Sequence, residues 1–248
     1  KQPVPTGRKI DLDPGVGVQL PDLEVVPDLV IFVGLVADDH ARGNALASEH
    51  QRQGRGEILA VTGPIVTDEI LDRIDGIADG EKVLVFLMIS GGGSALFSCA
   101  PDAVGIEDKF KLNQLLMKCG ANIHDINTIR KHCFEIKGGK FGQRVARKGG
   151  TLVSLILSDV VGDDLSAIAS GPSYKDKSTF EDAVRLMKQY QIWEEAPQSV
   201  RGHMERGLAD PSMEPPREVP AGVHNYLIGN NLAALDAAIP YSLIKGER

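Results

Sequence analysis

The sequence predicts an α/β fold: a Rossmann-like, three-layer α/β/α arrangement around a mostly parallel sheet. Short, wholly apolar segments alternate with amphipathic ones along the chain, and glycines or polar turns close most of the apolar segments. Strands that are apolar on both faces are typical of parallel sheets covered by helices. The 248 residues, 42% of them apolar and 25% charged, have the composition of an ordinary folded domain.

Five apolar segments are predicted strands. The clearest, Val83–Ile89, is apolar on both faces and is followed directly by a glycine-rich turn, so it belongs in the middle of a sheet. Short length and many β-branched residues mark the others. In chain order, the five predicted strands cover residues 29–33, 58–62, 83–89, 152–157 and 226–229.

Helical periodicity predicts the elements between the strands. Apolar residues recur on one helix face in segment 67–77, with Thr67 as the expected N-cap. Gly120 is expected to end a helix, and the four prolines of segment 209–220 predict a surface loop. The predicted helices cover residues 41–52, 67–77, 106–119, 124–132, 180–190 and 230–238.

The bulk properties disfavour several classes of protein. A formal net charge of −7 argues against a nucleic-acid-binding protein. No apolar run reaches the roughly 20 residues that a bilayer requires, and the first residues lack a signal-peptide core. Cys99, Cys119 and Cys133 have neither zinc-site nor disulfide spacing, which fits a reducing compartment. We therefore expect a cytoplasmic protein that binds neither nucleic acid nor membrane.

The segment Ser90-Gly91-Gly92-Gly93-Ser94, called the glycine turn below, follows the predicted central strand. Its glycines allow positive φ angles and bring backbone N–H groups together, and its hydroxyls add donors, so it favours a phosphate or carboxylate site. A tight turn without a ligand is the alternative. Ala95 and Leu96 exclude a P-loop, a nucleophile elbow and a dinucleotide fingerprint at this place.

A cationic segment follows at residues 127–140. Asn127, Arg130 and Lys131 lie three or four residues apart and can share a helix face. Lys137 precedes a glycine pair, where a side chain could reach over a bound anion. An anion-binding face and a solvated helix face remain equally open alternatives on these residues alone.

Carboxylates follow the strand predicted at residues 152–157. Asp159 offers at a strand end the rigid carboxylate oxygen that Mg²⁺ prefers beside water and phosphate. Asp163 is a second candidate metal ligand, although Asp163 or Asp164 could instead cap a helix. Ser170 and Gly171 form a hydroxyl-and-glycine turn that could line the same crevice.

Three blocks of sequence, in this order and spacing, resemble glycerate 2-kinases of the MOFRL type. The blocks are residues 89–96, residues 126–131 with 137–139, and residues 154–163 with 168–172. The resemblance is good over residues 83–238 and poor over 1–80. It identifies 1–248 as a glycerate kinase N-terminal-like (DUF4147-like) α/β domain, with the second, MOFRL domain absent. Similar bacterial sequences carry the name hydroxypyruvate reductase, which the missing dinucleotide fingerprint disfavours.

This resemblance implies ATP-dependent phosphorylation of the 2-hydroxyl of D-glycerate, with Mg²⁺, between two α/β domains. It implies that the glycine turn holds phosphate or the glycerate carboxylate, that Arg130 and Lys137 offset anionic charge, and that Asp159 faces the metal or the reacting hydroxyl. The partner is then a small-molecule substrate, and a homodimer is left open.

One departure from the family concerns the turn after the first strand. The family carries a Gly-Lys-Ala turn there, whereas this chain has Leu35-Val36-Ala37. We therefore expect this chain alone to bind ligand yet turn over slowly or not at all. A non-catalytic anion- or nucleotide-binding module is the alternative function, and an NAD-linked reductase is a weaker one.

Overall fold

The computed structural model describes residues 29–35, 56–61 and 64–245, and in them five strands form one sheet. All neighbouring strands, in the order β2-β1-β3-β4-β5, are parallel. The predicted α/β class with a parallel sheet is confirmed. The strand at Val83–Ile89 has the predicted ends, and the other four predicted strands form with slightly different ends. The strands are β1 Leu29–Leu35, β2 Gly56–Val61, β3 Val83–Ile89, β4 Thr151–Ser158 and β5 Val223–Asn230.

The strand order places a topological switch point between β1 and β3. From β1 the chain adds β2 on one side and then adds β3, β4 and β5 on the other. Ligands of such doubly wound sheets bind beyond the carboxyl ends of the strands at the switch point. The glycine turn follows β3 and therefore lies there, whereas the predicted helix 41–52 and the turn after Leu35 lie outside the described residues.

Eight α-helices accompany the sheet within the described ranges. None of the helices in these ranges is both long and apolar enough to cross a membrane. The helices are α1 Pro64–Asp75, α2 Gly93–Leu96, α3 Ile106–Lys118, α4 Ile123–Cys133, α5 Lys140–Arg147, α6 Phe180–Gln189, α7 Gln198–Ala209 and α8 Asn231–Lys245.

Four helices differ from the expectation. Helix α1 begins at Pro64, a residue suited to the first helical position because its missing N–H would have no helical partner there, so the predicted N-cap Thr67 lies inside the helix. The one-turn helix α2 is additional to the predicted ones. Helices α5 and α7 are additional as well. The first follows the positive-φ Gly139, and the second contains Gly202 and Gly207, which weaken its helical signal.

The apolar residues form two separate cores. In the first, α1 and α5 pack on one face of the sheet, where every second residue of β3 is buried. The second core contains only helical and loop residues, contributed mainly by α3, α4, α6 and α7. Helix α4 belongs to this second core and ends at Cys133, four residues before Lys137. The second core therefore fixes the position of the cationic segment beside the sheet.

The two faces of the sheet are covered unequally. Met88 of β3 and Leu157 of β4 point away from the first core and are 42% and 49% exposed. The buried apolar residues of α3, α4, α6 and α7 pack in the second core and not against the sheet face that carries Met88 and Leu157. The three-layer arrangement is therefore tightly packed on the side of α1 and α5 and open at these two residues on the other.

Candidate functional site

The carboxyl ends of β3, β4 and β5 bring polar residues from three parts of the chain to one edge of the sheet. The glycine turn follows β3, Asp159 follows β4, and Asn231 follows β5. The carboxylate of Asp159 lies so close to the backbone of Gly91 that a β-carbon at Gly91 would collide with it. Glycine at this position therefore permits the close approach of the turn to the acid.

The glycine turn has the backbone geometry that its sequence predicts. Gly92 adopts a left-handed conformation with φ 81°, and the N–H of Gly93 donates to the carbonyl oxygen of Ser90 at 3.2 Å. The chain then enters the one-turn helix α2, in which Ser94 is the second residue. Positive φ is strained for a residue with a β-carbon, so the backbone conformation favours glycine at position 92.

A hydrogen-bonded chain of side chains, called the hydroxyl chain below, connects Ser94, Ser170 and Asn127. The Oγ atoms of Ser94 and Ser170 are 2.9 Å apart, and the Ser170 hydroxyl donates to Oδ1 of Asn127 at 3.1 Å. Ser170 is fully buried and Asn127 nearly so. The hydroxyl chain thus joins the glycine turn to the cationic helix α4, as the sequence predicts for neighbouring parts of one site.

The segment that carries Ser170 has an unusual backbone. Ala169, Ser170 and Gly171 have φ angles of 51°, 62° and 60°, and the first two bear β-carbons. Residues in this region cost about 1–3 kcal/mol each unless the surroundings hold them, and such residues concentrate at functional sites. Here the N–H groups of Gly138 and Gly139 donate to the carbonyl oxygens of Ser170 and Gly171 at 2.9 and 2.6 Å.

Lys137 lies behind the glycine turn. Its Nζ donates to the carbonyl oxygen of Ser94 at 2.7 Å, to Oγ of Ser94 at 3.1 Å and to the carbonyl oxygen of Phe97 at 3.3 Å. The residue is 1% exposed, and no carboxylate of the described residues forms an ion pair with it. Burial, reinforced by Arg130 and Lys109, lowers the pKa of Lys137 well below its usual value.

Arg130 provides a half-buried positive charge on the same helix as Asn127. Its Nη2 donates to Oδ1 of Asn113 at 3.1 Å, a neutral acceptor, and burial lowers its pKa from the usual value. Arg130 is also close enough to Lys137 to lower the pKa of that amine. No carboxylate within the described ranges forms an ion pair with Arg130. Its charge is therefore compatible with the predicted role of facing an anion.

Lys131 is placed differently from its neighbour. Its Nζ lies 3.3 Å from Oδ1 of Asp176, and both side chains are less than one tenth exposed. The pair packs beside Gly138. Because Asp176 already balances the charge of Lys131, this contact does not support the ligand-binding role that we predict for Lys131 from the sequence.

The acidic turn divides into three environments. Asp159 is exposed beside the glycine turn, and Oδ2 of Asp163 accepts from Nδ2 of Asn230 at 2.7 Å. Oδ1 of Asp164 accepts from the N–H of Ser166 at 2.9 Å, which closes a local turn. The short 3-10 helix Ile168–Ser170 has Ala167 at its N-cap and no side-chain cap, so the helix-capping role predicted for Asp163 or Asp164 is not found. Among the described residues, no three His, Cys, Asp or Glu side chains gather as a metal-binding group.

Sequence reasoning missed three residues at this site. Asn230 binds Asp163, and Nδ2 of Asn231 donates to the carbonyl oxygen of Asp159 at 3.2 Å. Their position after a predicted strand, like that of Asp159, was the available signal. The third, Lys109, is buried on α3 and donates to the carbonyl oxygen of Ser98 at 2.7 Å. Nothing in its local sequence distinguishes it from a surface lysine.

Comparisons with known proteins identify several that are similar to this chain. The chain is 50% identical over 157 residues to a protein named glycerate 2-kinase from Pyrococcus horikoshii, covering 63% of this chain and 35% of that protein. It is 38% identical over 165 residues to a putative hydroxypyruvate reductase from Agrobacterium vitis, covering 64% and 36%. The crystal structure of a glycerate kinase from Thermotoga maritima superimposes with a TM-score of 0.65 and 33% identity, covering 92% and 57%.

The chain spans little more than half of the superimposed structure and about a third of the two relatives compared by sequence. Residues 41–205, two thirds of the chain, match a single family model, whose description is a domain of unknown function. That match contains the glycine turn, the hydroxyl chain, Lys137 and Asp159. This chain therefore belongs to the DUF4147 family.

Proposed function

We propose that this chain forms the nucleotide- and substrate-binding part of an ATP-dependent glycerate 2-kinase, which converts D-glycerate to 2-phosphoglycerate. The observation that supports this most strongly is the meeting of the glycine turn, Asp159 and the hydroxyl chain at the switch point of the sheet. Similar proteins named glycerate kinase point to the same activity.

The neutral donors of the site suit an anion. The glycine turn binds a nucleotide phosphate or the glycerate carboxylate, the buried Ser170 and Asn127 hold Ser94 in place behind it, and the half-buried Arg130 offsets the negative charge. Charge-assisted hydrogen bonds in a partly desolvated site are roughly twice as strong as neutral ones. Phosphoryl transfer depends largely on such positioning and charge stabilisation.

The acidic turn fits a magnesium ion. Asp159 is exposed at a strand end, and the carboxylate of Asp163 is held by an amide from β5. Carboxylate oxygens, completed by water and phosphate, are the donor set that Mg²⁺ prefers. In this proposal Asp159 and Asp163 hold Mg²⁺, which neutralises charge on the phosphates when bound, and Asp159 also faces the reacting 2-hydroxyl.

The reaction that this arrangement serves is the attack of the 2-hydroxyl oxygen of glycerate on the terminal phosphorus of ATP. The new P–O bond forms as the bond to the bridging oxygen of ADP breaks, and the hydroxyl proton leaves toward the carboxylate of Asp159. The chain's own contribution is to hold the carboxylate of glycerate and the phosphates in line. The free thiols of Cys99, Cys119 and Cys133 suit a cytoplasmic setting for this reaction.

A coupled assay of ADP release from ATP, Mg²⁺ and D-glycerate tests the proposal, with the thermal shift caused by ATP and Mg²⁺ as a second readout. We expect Asp159→Asn to abolish any release above the blank while the ATP-induced shift is reduced. The matched control is Asp102→Asn in an exposed loop. The proposal would be contradicted if the unaltered chain showed no ADP release above the blank and also no thermal shift with ATP and Mg²⁺.

A second function, a non-catalytic anion- or nucleotide-binding module, is favoured by one observation. No lysine stands in the segment Leu35-Val36-Ala37 after β1, where glycerate 2-kinases carry one. Saturable binding of ATP or D-glycerate without ADP release would support the module. Oxidation of NADH by hydroxypyruvate would instead support a reductase.

A further inference from the structure

Lys137 is a buried amine whose hydrogen-bond acceptors are all neutral. Its three nearest acceptors are two carbonyl oxygens and the hydroxyl of Ser94. Lys131, only six residues away and also buried, has a carboxylate partner in Asp176. Burying an ammonium group without a counter-ion is unfavourable, so such a lysine tends to lose its proton.

The charges that face Lys137 from neighbouring elements reinforce this tendency. Arg130 on α4 and Lys109 on α3 both lower its pKa, and the ring of Phe134 and the backbone of α2 complete the enclosure. Asp68 on α1 acts on Lys109 and on Cys99 rather than on Lys137. Within the described part of the chain, no carboxylate pairs with Lys137 to supply a negative charge.

The hydroxyl chain can accommodate either protonation state of Lys137. An ammonium donates three hydrogen bonds, and Ser94 can then donate to Ser170, which donates to Asn127. A neutral amine donates two bonds, to the carbonyl oxygens of Ser94 and Phe97, and its lone pair accepts the hydroxyl proton of Ser94. Ser170 then has one proton to donate, either to Ser94 or to Asn127, so the neutral state has one bond fewer in the hydroxyl chain. The direction of the bond at Ser94 therefore reverses with the charge of Lys137.

We propose that Lys137 takes up a proton from solvent when an anion binds the glycine turn, so that the site supplies its countercharge only when it is occupied. This rests on the proposed anion-binding function of the turn. The anion provides the negative charge that the pocket lacks, and the new ammonium stabilises it from behind through the Ser94–Phe97 backbone. Lys137 is thus a positioning residue, since its amine points at protein oxygens and not into the open site.

The chemistry of the ligand follows from the same geometry. A neutral amine is converted to a cation only by a ligand that brings net negative charge, so carboxylates, sulfate and phosphates are recognised and neutral sugars or alcohols are not. D-glycerate and sulfate are suitable probes because neither titrates between about pH 6 and 9. Any proton taken up on their binding belongs to the protein.

Isothermal titration calorimetry of the 248-residue chain with each probe, in two buffers of different ionisation enthalpy at the same pH, measures this proton uptake. We expect the apparent binding enthalpies in the two buffers to differ. The difference should equal the difference in buffer ionisation enthalpy multiplied by the number of protons taken up, which is up to about one per anion. We also expect the affinity to fall by up to about tenfold per pH unit as the pH rises. Lys137→Met should remove the buffer dependence, and Lys118→Met, on the exposed end of α3, should retain it.

Nitrogen-15 spectra of the lysine side chains give a second readout that needs no variant to fold. One amine signal should change to an ammonium signal on addition of sulfate. Saturable binding with equal enthalpy in both buffers overturns the proposal and leaves the anion site intact. Buffer dependence that persists in folded Lys137→Met also overturns it, and no binding of either probe overturns the anion site as well.

Discussion

The carboxylate of Asp159 packs directly against the backbone of Gly91, although 68 positions of the sequence separate them. This contact links the ends of β3 and β4 and places the strand-end acid beside the glycine turn. Because the turn offers backbone N–H groups and the acid offers carboxylate oxygens, an anion and a cation can be held next to each other.

Replacing Gly91 by alanine should impair ligand binding without unfolding the chain. The new β-carbon would displace the exposed carboxylate of Asp159, whose side chain has room to move, so the free energy of unfolding should change by less than about 1 kcal/mol. The thermal shift caused by ATP and Mg²⁺ should fall to near zero. Gly105→Ala is the matched control, because a β-carbon there would have no atom within 4 Å and the φ of −61° suits alanine. An unchanged shift in Gly91→Ala would contradict the role of the contact.

Replacing Lys131 by methionine should destabilise the fold strongly. The change leaves Asp176 buried without its ion-pair partner, a situation that costs about 3 kcal/mol or more. Chemical denaturation in urea measures the effect. The double variant Lys131→Met with Asp176→Leu should recover much of the loss, because no buried charge is then left unpaired. Equal stability of the single variant and the unaltered chain would show that the pair is not a structural one.

The pH dependence of stability should reveal Lys140. Burial lowers its pKa to about 8, so between about pH 8 and the unfolded value of about 10.4 the unfolded chain binds more protons. The contribution of Lys140 to the free energy of unfolding therefore rises with pH across that window. Below about pH 8 the folded chain carries the full free-energy cost of burying the charged amine. The change in free energy of unfolding caused by Lys140→Met should be more stabilising at pH 7 than at pH 10, by on the order of 2 kcal/mol.

Urea denaturation of both proteins at pH 7, 8.5 and 10 checks this difference. The comparison uses the variant against the unaltered chain at each pH, so that titration of tyrosines and cysteines common to both cancels. A difference in free energy of unfolding that is constant from pH 7 to 10 would show that Lys140 keeps its ordinary pKa in the folded protein.

Two glycines of helix α7 should respond oppositely to alanine. A β-carbon at Gly207 would overlap the ring of Phe180 on α6, so Gly207→Ala should cost about 1–3 kcal/mol through overpacking. At Gly202 the nearest atom to a new β-carbon is the mobile end of Arg206 at 3.9 Å, so Gly202→Ala should gain up to about 1 kcal/mol from helix propensity. Urea midpoints of the two variants measure both effects, and equal shifts would contradict the packing argument.

Particular elements show where local sequence is sufficient. Apolar periodicity and a positive-φ glycine locate Val83–Ile89 and the helix that ends before Gly120, because both signals act within a few residues. Helix α7 is not predicted because its two glycines lower helix propensity, while its packing against Phe180 lies outside the local sequence. Thr67 resembles a cap in sequence, but the helix already begins at Pro64.

The sequence by itself determined the alternation of strands and helices, the capacity of the glycine turn for positive φ angles, and the positions of the glycine turn and Asp159 directly after strands. Only the tertiary structure decided the strand order and the fate of each charge. Lys131 and Lys137 are buried lysines of one segment, yet one meets Asp176 and the other only neutral oxygens. Their partners lie about 40 residues away in the chain, and whether a buried amine meets a carboxylate depends on how distant segments pack.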